Sequence, residues 1–140
     1  MSGRDQAIET IRWEMTAFAR RARAVAERIH PGLTLSEYSL LAHLRETGGC
    51  RATDLASYFM LDKSTVSRQI GALERLGLVE REVDPASRRV QILRPTPRGE
   101  ELLEEAARRR QEAFGERLDD WSDADLRAFA GYLVRYNAAD

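Results

Sequence analysis

The chain has 140 residues, of which 43% are apolar, so it is long enough for one compact domain with a real core. Its formal net charge of −1 argues against a generally basic coat for nucleic acid. No run approaches about 18 apolar residues and the N-terminus has no apolar signal core, which predicts a cytoplasmic protein without a membrane partner. One cysteine, Cys50, and two histidines leave no disulfide framework and no metal site, and no cofactor is expected.

The first predicted element is a long N-terminal helix. Pro31 and Gly32 should end it after His30. Trp13 lies nearly opposite the apolar seam, which indicates either a second contact surface, such as a partner subunit, or a simple exposed aromatic. The seam recurs at spacings of three and four residues through Ile8, Ile11, Met15, Phe18, Ala22, Val25 and Ile29.

The next elements form a predicted helix-turn-helix. A helix opens at Thr34 with Glu37 in capping-box spacing and stops at the glycine pair 48–49. A short helix around "TDLASYF" follows, and then the turn "MLDK", in which Asp62 is placed to cap the helix of "LDKSTVSRQIGALERLGLVE". Two helices about four residues apart, the second with a small polar face, are typical of this DNA-binding motif.

The outer face of that last helix has an unusual composition. Its core stripe is Val66, Ile70 and Leu73. A solvated helix would more often carry Glu, Lys and Gln on the other side, which cost less helix propensity than Ser, Thr or Gly. The opposite side instead carries Ser64, Arg68, Gly71 and Arg75, flanked by Thr65 and Ser67.

A basic hairpin follows this helix. "LVEREVDPASRRVQILRPT" alternates at Val79, Arg81 and Val83, turns at "DPAS", and alternates again at Val90 and Ile92. From residue 62 to 98 the chain has eight basic and five acidic residues, a net charge of +3, while the remainder carries −4. Such a hairpin is a wing, which could enter a minor groove while the preceding helix enters the major groove.

Two helices are predicted at the C-terminus. Thr96 caps the first, with Pro97 at its first position, and Ser122 with Asp125 in capping spacing opens the second. Terminal helices with long apolar seams, distant in sequence from the DNA-reading part, are typical of a two-fold interface. The first seam is Leu103, Ala106, Ala107, Phe114 and Leu118, and the second helix is expected to bury Leu126, Phe129, Ala130, Leu133 and Val134.

Taken in order, the segments resemble the MarR (multiple antibiotic resistance regulator) family of winged-helix transcription regulators. They are "LTLSEYSLLAHLRETGG", "ATDLASYFMLDKSTVSRQIGALERLGLVER", "DPASRRV", "PTPRGEELLEEAARRR" and "WSDADLRAFAGYLVRYN". The resemblance implies a mainly α fold with a small two-stranded β-wing. The resemblance also implies that the chain divides into an N-terminal dimerisation helix (1–32), a winged helix-turn-helix lobe (33–95) and C-terminal dimerisation helices (96–140). Ser87 departs from the family, which has an acidic residue before the paired basic residues of the wing.

The resemblance also implies a DNA-binding set. Arg68 could contact guanine bidentately or clamp a phosphate, and Gln69 could read adenine, although Gln69 lies nearer the apolar side. Lys63, Ser64 and Thr65 would position the protein on phosphates. An ion pair between Asp62 and Arg89 is expected to orient the wing. The implied set is Lys63, Ser64, Thr65, Ser67, Arg68 and Gln69 on the helix, with Arg88 and Arg89 at the wing.

The regulatory signal is the least defined part of the sequence. Similar family members are homodimers, and they often respond to small aromatic acids bound in a crevice between the dimer helices and the DNA-binding lobe. Arg110 could also form a salt bridge with a partner subunit or extend to the helix edge, and His30 could simply occupy a helix C-terminus. Cys50 is either a redox-sensing thiol or an inert small residue. The candidate effector-binding residues are Trp13, Arg20, His30, Tyr38 and Arg110.

These observations predict a homodimeric, sequence-specific DNA-binding transcription regulator. It would be a repressor that leaves its pseudo-palindromic operator when a small aromatic acid binds. The alternatives are redox sensing through Cys50 and a winged helix that contacts proteins without reading DNA; the latter would favour apolar residues on the outer helix face. An enzyme is not expected, because the sequence has no nucleophile triad, metal ligands or phosphate loop.

Overall fold

The computed structural model describes residues 1–139 and contains a single β-hairpin among helices. The helices are α1 Gly3–Ile29, α2 Leu35–Thr47, α3 Ala52–Tyr58, α4 Lys63–Arg75, α5 Pro97–Arg117 and α6 Asp123–Ala138, and the strands are β1 Val79–Asp84 and β2 Ser87–Pro95. This order confirms the predicted fold class of a mainly α winged helix-turn-helix.

Side-chain caps fix where the helices begin. The Thr34 hydroxyl accepts the Glu37 N–H at 3.1 Å, and the Glu37 carboxylate accepts the Thr34 N–H at 2.9 Å. Asp62 Oδ1 accepts the Thr65 N–H at 2.7 Å at the start of α4, and Ser122 caps α6 in the same way. These contacts satisfy N–H groups that have no partner inside the helix, and they confirm the predicted starts.

A single apolar core joins α2, α3, α4, the hairpin and the start of α5. Its α4 members, Val66, Ile70 and Leu73, are at most 1% exposed. Burying each such side chain stabilises the fold by about 1.5–3 kcal/mol, so α4 is held firmly in one rotation about its axis. Its other members include Leu40, Leu41, Leu44, Leu55, Leu78, Val79, Leu93, Leu103 and Ala106.

The hairpin is antiparallel and irregular near its tip. Val79 pairs with Pro95 and Val83 with Gln91, but Asp84 pairs with Ser87, so residues 88–90 form a bulge on β2. At the base of the hairpin, Cys50 pairs with Leu93, which ties the segment between α2 and α3 to the sheet. The base is therefore part of the core while the tip projects from it.

The described chain forms two compact units, Met1–Ala106 and the part from Ala107 onward. In the first unit, Ile8, Ile11 and Phe18 of α1 are more than half exposed. In the second, the apolar residues expected to be buried by the last helix are not: Leu133 is 45% and Val134 69% exposed. Among the described residues, α6 therefore has no buried side chain, and burial of this face in a two-fold interface stays a prediction. The division into 1–32, 33–95 and 96–140 stays a prediction.

A tight junction connects the end of α4 with the start of α5. The Thr96 hydroxyl donates to the Gly77 carbonyl at 2.6 Å and accepts the Gly99 N–H at 3.1 Å, while the Thr96 N–H donates to the Leu78 carbonyl at 3.0 Å. A Cβ on Gly99 would lie 2.3 Å from the Leu78 carbonyl oxygen. The backbones pass so closely that only glycine fits.

We therefore expect Gly99→Ala to lower the free energy of unfolding by about 1–3 kcal/mol, because the added methyl must push two backbones apart. Urea unfolding followed by circular dichroism measures this change. Gly115→Ala in α5 is the control, since a Cβ there has nothing within 4 Å. Its alanine should be neutral or slightly stabilising, and equal stability of the two variants would contradict the prediction.

Candidate nucleic-acid interface

The outer face of α4 is polar, cationic and open to solvent. Because the apolar stripe faces the core, Lys63, Ser64, Ser67, Arg68 and Arg75 project from the opposite side and are exposed. Within residues 1–139, none of the three cations forms an ion pair; Arg68 donates only to the Thr65 hydroxyl, at 3.2 Å. Positive charge without a carboxylate partner, on a rigid helix, is suited to binding phosphate.

Asp62 organises the start of this helix and does not pair with the wing. Its Oδ1 atom accepts the Ser64 hydroxyl and the Thr65 N–H, each at 2.7 Å. These two hydrogen bonds lower the pKa of Asp62 to about 2. No ion pair between Asp62 and Arg89 is present among residues 1–139, and the wing-orienting role of Asp62 stays a prediction. Ser64 is engaged in the cap of α4 as well.

Gln69 lies at the edge of the outer face, half-buried against α2. Its Nε2 atom donates to the Ser36 hydroxyl at 2.9 Å, a contact between residues 33 positions apart. The side chain therefore holds α4 against α2 in the free chain. The reading of adenine by Gln69 stays a prediction, and Ser36 is a neighbour that sequence spacing could not reveal.

The wing carries the predicted basic tip. Arg88 and Arg89 lie in the bulge of β2, are exposed, and form no ion pair in the part of the chain that the structure describes. A bulge turns side chains away from the regular alternation of the strand. Two cations at a narrow projecting tip suit the strongly negative potential of a narrow minor groove.

Other charged side chains, which the sequence pattern did not predict, hold the wing in place. Two nitrogens of Arg81 donate to Glu74 Oε1 of α4 at 2.9 and 3.0 Å, and a third donates to Gln91 Oε1 at 3.0 Å. Arg94 pairs with Glu82 across the hairpin at 2.7 Å and also donates to the Gly48 carbonyl. Opposite charges on neighbouring strands could have indicated the pair of Arg94 with Glu82, but not the pair of Arg81 with Glu74, which lies on α4.

Cys50 is partly buried in a backbone pair with Leu93. Its N–H donates to the Leu93 carbonyl at 3.2 Å, and the Leu93 N–H donates back at 2.8 Å. Burial raises the pKa of the Cys50 thiol, which disfavours the reactive thiolate. Both features favour the interpretation of Cys50 as a small packing residue.

The predicted effector residues have different surroundings. His30 is 1% exposed and stacks on Tyr38 with ring centroids 4.3 Å apart, and its Nδ1 atom is 3.3 Å from the Leu33 carbonyl oxygen. Trp13 is 60% exposed and donates to Glu9 Oε1 at 2.8 Å. Arg20 of α1 is also exposed. Arg110 is half-buried and belongs to the second unit, so a common pocket stays a prediction.

The described part of the chain also bears on metal sites and membrane spans. From residue 1 to 139, no cluster of three or more His, Cys, Asp or Glu side chains is arranged to hold a metal ion. Over the same residues, no helix combines the length and apolarity needed to cross a membrane.

An α3–turn–α4 unit with a cationic outer face, followed by a basic hairpin, defines a winged helix-turn-helix DNA-binding module. The family model described as "MarR family" matches residues 33–90. The HTH-type transcriptional regulator YxaD of Bacillus subtilis is 38% identical over 134 residues, which are 94% of each chain. The chain belongs to the MarR family of transcription regulators and is not an enzyme.

Solved structures agree with this fold. A MarR family protein from Bacillus stearothermophilus superimposes with a TM-score of 0.81 at 24% identity, covering 98% of this chain and 96% of that one. BpsR of Bordetella bronchiseptica, whose DNA binding is regulated by 6-hydroxynicotinic acid, superimposes with a TM-score of 0.73 at 26% identity, covering 90% of this chain and 91% of BpsR.

The wing contacts lead to a prediction about mobility. Glu74→Ala removes the carboxylate that receives Arg81, so we expect amide hydrogens of residues 79–95 to exchange about two to five times faster, the range for an exposed ion pair. Hydrogen exchange followed by mass spectrometry measures this. Glu9→Ala breaks the comparable surface pair with Arg12 on α1 and should leave the hairpin unchanged. Equal hairpin exchange in both variants would show that the contact does not restrain the wing.

The cap of α4 leads to a prediction about pH. The pKa of Asp62 is near 2 when folded and about 3.9 in an unfolded chain. Its ionised form therefore stabilises the fold above about pH 4, and the contribution is lost as the pH falls through about 2. Asp62→Asn keeps an oxygen that can cap the helix but does not titrate. Urea unfolding between about pH 4 and 2 should show a smaller loss of stability for Asp62→Asn than for the wild type; parallel curves would exclude this role.

Proposed function

We propose that the protein acts in the cytoplasm as a homodimer that binds a pseudo-palindromic DNA operator. The observation that carries the proposal is the outer face of α4, where Lys63, Arg68 and Arg75 project opposite the buried stripe and form no ion pair within residues 1–139. The exposed hydroxyls of Ser64 and Ser67 lie on the same face. The N-terminal part of α4 would read base edges in the major groove, and the arginines of the wing would enter the adjacent minor groove.

Exposed apolar faces support the homodimer. On α1, Ile8, Ile11 and Phe18 are 53%, 54% and 61% exposed, and on α6 Phe129 and Val134 are 43% and 69% exposed. Contiguous exposed apolar side chains are unfavourable in a monomer and are typical of an interface. A two-fold dimer would place its α4 helices in major grooves about one helical turn apart, near 34–36 Å.

Repression and release by a small aromatic acid complete the proposal. A dimer seated on a promoter would obstruct transcription, and an acid that prefers a different separation of the two α4 helices would shift the dimer away from DNA. The regulation of BpsR by 6-hydroxynicotinic acid supports an effector of this class. Sensing through Cys50 is less favourable because burial raises its pKa. A purely protein-binding module is disfavoured because the outer face of α4 is polar.

The test uses a duplex that the wild-type protein enriches from a randomised pool, together with a random duplex. Fluorescence anisotropy should show that Arg68→Ala weakens binding to the enriched duplex about 10- to 100-fold, as expected for the loss of one bidentate contact worth about 1–3 kcal/mol. Arg12→Ala on α1 is the matched control and should bind like the wild type. No enrichment of any sequence, or full binding by Arg68→Ala, would overturn sequence reading through α4.

The same anisotropy assay tests whether an aromatic acid releases the protein from DNA. Adding 6-hydroxynicotinic acid, benzoic acid or salicylic acid to the wild-type complex should lower its anisotropy, and analytical ultracentrifugation should show a dimer both with and without the acid. If none of these acids weakens the complex while specific binding persists, the DNA-binding proposal stands and the effector class is wrong. A monomer that binds DNA specifically would exclude the two-fold arrangement.

A further inference from the structure

Gly71 lies in the interior of α4, on the same outer face as Ser64, Arg68 and Arg75. Glycine is the least favourable residue for a helix interior apart from proline, because it loses the most backbone freedom on folding. Its backbone is not left-handed, unlike that of Gly32, Gly48, Gly49 and Gly77. The conformation of the chain at residue 71 is therefore open to any good helix former.

Packing within the chain does not require glycine at this position either. A Cβ built on Gly71 would approach only one atom within 4 Å, Nη1 of Arg75 at 3.4 Å. That atom is the end of an exposed, flexible side chain, which can move aside. Gly99 provides the contrast, because there a Cβ would meet a backbone carbonyl at 2.3 Å. The fold accounts for Gly99 but not for Gly71.

The position of Gly71 along α4 indicates what would need the space. A recognition helix contacts bases through its N-terminal residues. Residue 71 lies seven positions beyond Ser64, about 10 Å further along the helix axis. The major groove is about 8.5 Å deep. When α4 enters the groove N-terminus first, residue 71 would therefore lie level with the groove wall, where the sugar-phosphate backbone runs.

Arg75 supplies an independent observation that points to the same ligand. Its guanidinium lies back across the helix, beside the vacant Cβ position of Gly71, and it forms no ion pair among the described residues. A guanidinium is well matched to phosphate oxygens, which it can contact through two parallel hydrogen bonds. The open space at Gly71 and the guanidinium of Arg75 therefore lie side by side on the outer face of α4.

We propose that Gly71 is the point of closest approach between α4 and the DNA backbone, and that Arg75 binds the phosphate that passes there. This inference rests on the proposed function; it adds Gly71 to the interface and gives Arg75 a defined phosphate contact. Glycine lets the DNA backbone come within van der Waals contact of the helix backbone, and it leaves Arg75 room to lie along α4 towards the same strand. A methyl group at residue 71 would hold the DNA away and would lie against the guanidinium of Arg75.

The central experiment compares stability and DNA binding in Gly71→Ala. Because alanine favours the helix, the variant should melt about 2–4 °C higher than the wild type. Its affinity for the enriched duplex should nevertheless fall about tenfold or more, because the added methyl overpacks the contact. Gly115→Ala, at an open helical position of α5, is the control for the gain in helix propensity alone and should bind DNA like the wild type.

Arg75→Ala tests the second part of the inference through salt dependence. Removing one phosphate contact per subunit should reduce the slope of log affinity against log salt by about 1 per subunit and weaken enriched and random duplexes alike. An unchanged slope would exclude the phosphate contact. Arg12→Ala again provides the matched control on α1.

The outcomes separate this inference from the proposed function. Full affinity of Gly71→Ala for the enriched duplex, with wild-type specificity intact, would overturn the role of Gly71 alone. A lower melting temperature for Gly71→Ala would overturn it too, because the chain itself would then require glycine. If the wild-type protein binds enriched and random duplexes equally, the proposed function fails and this inference fails with it.

Discussion

The burial of one side of α4 is the constraint on which the DNA-binding lobe depends. Val66, Ile70 and Leu73 contribute to the core that joins α2, α3 and the hairpin, so α4 cannot rotate without exposing them. A rotation would also bring Arg68 into an apolar environment, where an unpaired charge is very unfavourable. The same packing that stabilises the lobe therefore determines which side chains α4 presents to solvent.

The arginines of the lobe serve two distinct purposes. Arg81 and Arg94 are used inside the protein, where they join the hairpin to the end of α4 and to the end of α2. Arg68, Arg88 and Arg89 form no ion pair among residues 1–139 and remain available to a partner. Net charge alone would not reveal this division, because an acidic side chain close to an arginine changes its role.

The sequence predicted local features well and long-range polar contacts poorly. Caps and apolar periodicity are read from neighbouring residues, so the helix starts, the hairpin and the fold class were confirmed. The contact of Gln69 with Ser36 spans 33 positions, and no local pattern signals it. The cap that Asp62 forms at the start of α4 was predicted from local spacing, whereas its expected ion pair with Arg89, 27 positions away, is not present among residues 1–139. Apolar periodicity also could not show whether a helix face is buried within one chain or exposed on its surface, as it is on α6.

The Thr96 junction has a mechanical consequence. Because one hydroxyl binds both the Gly77 carbonyl and the Gly99 N–H, the first turn of α5 and the end of α4 move as one piece. The 13 residues of α4 then tilt together about this junction. The helix is about 20 Å long, so a tilt of roughly 5° at the base of α5 displaces the Lys63 end by about 2 Å. A hydrogen bond tolerates a displacement of only about 0.5 Å, so a small reorientation far from the outer face is enough to break a bond made at the Lys63 end.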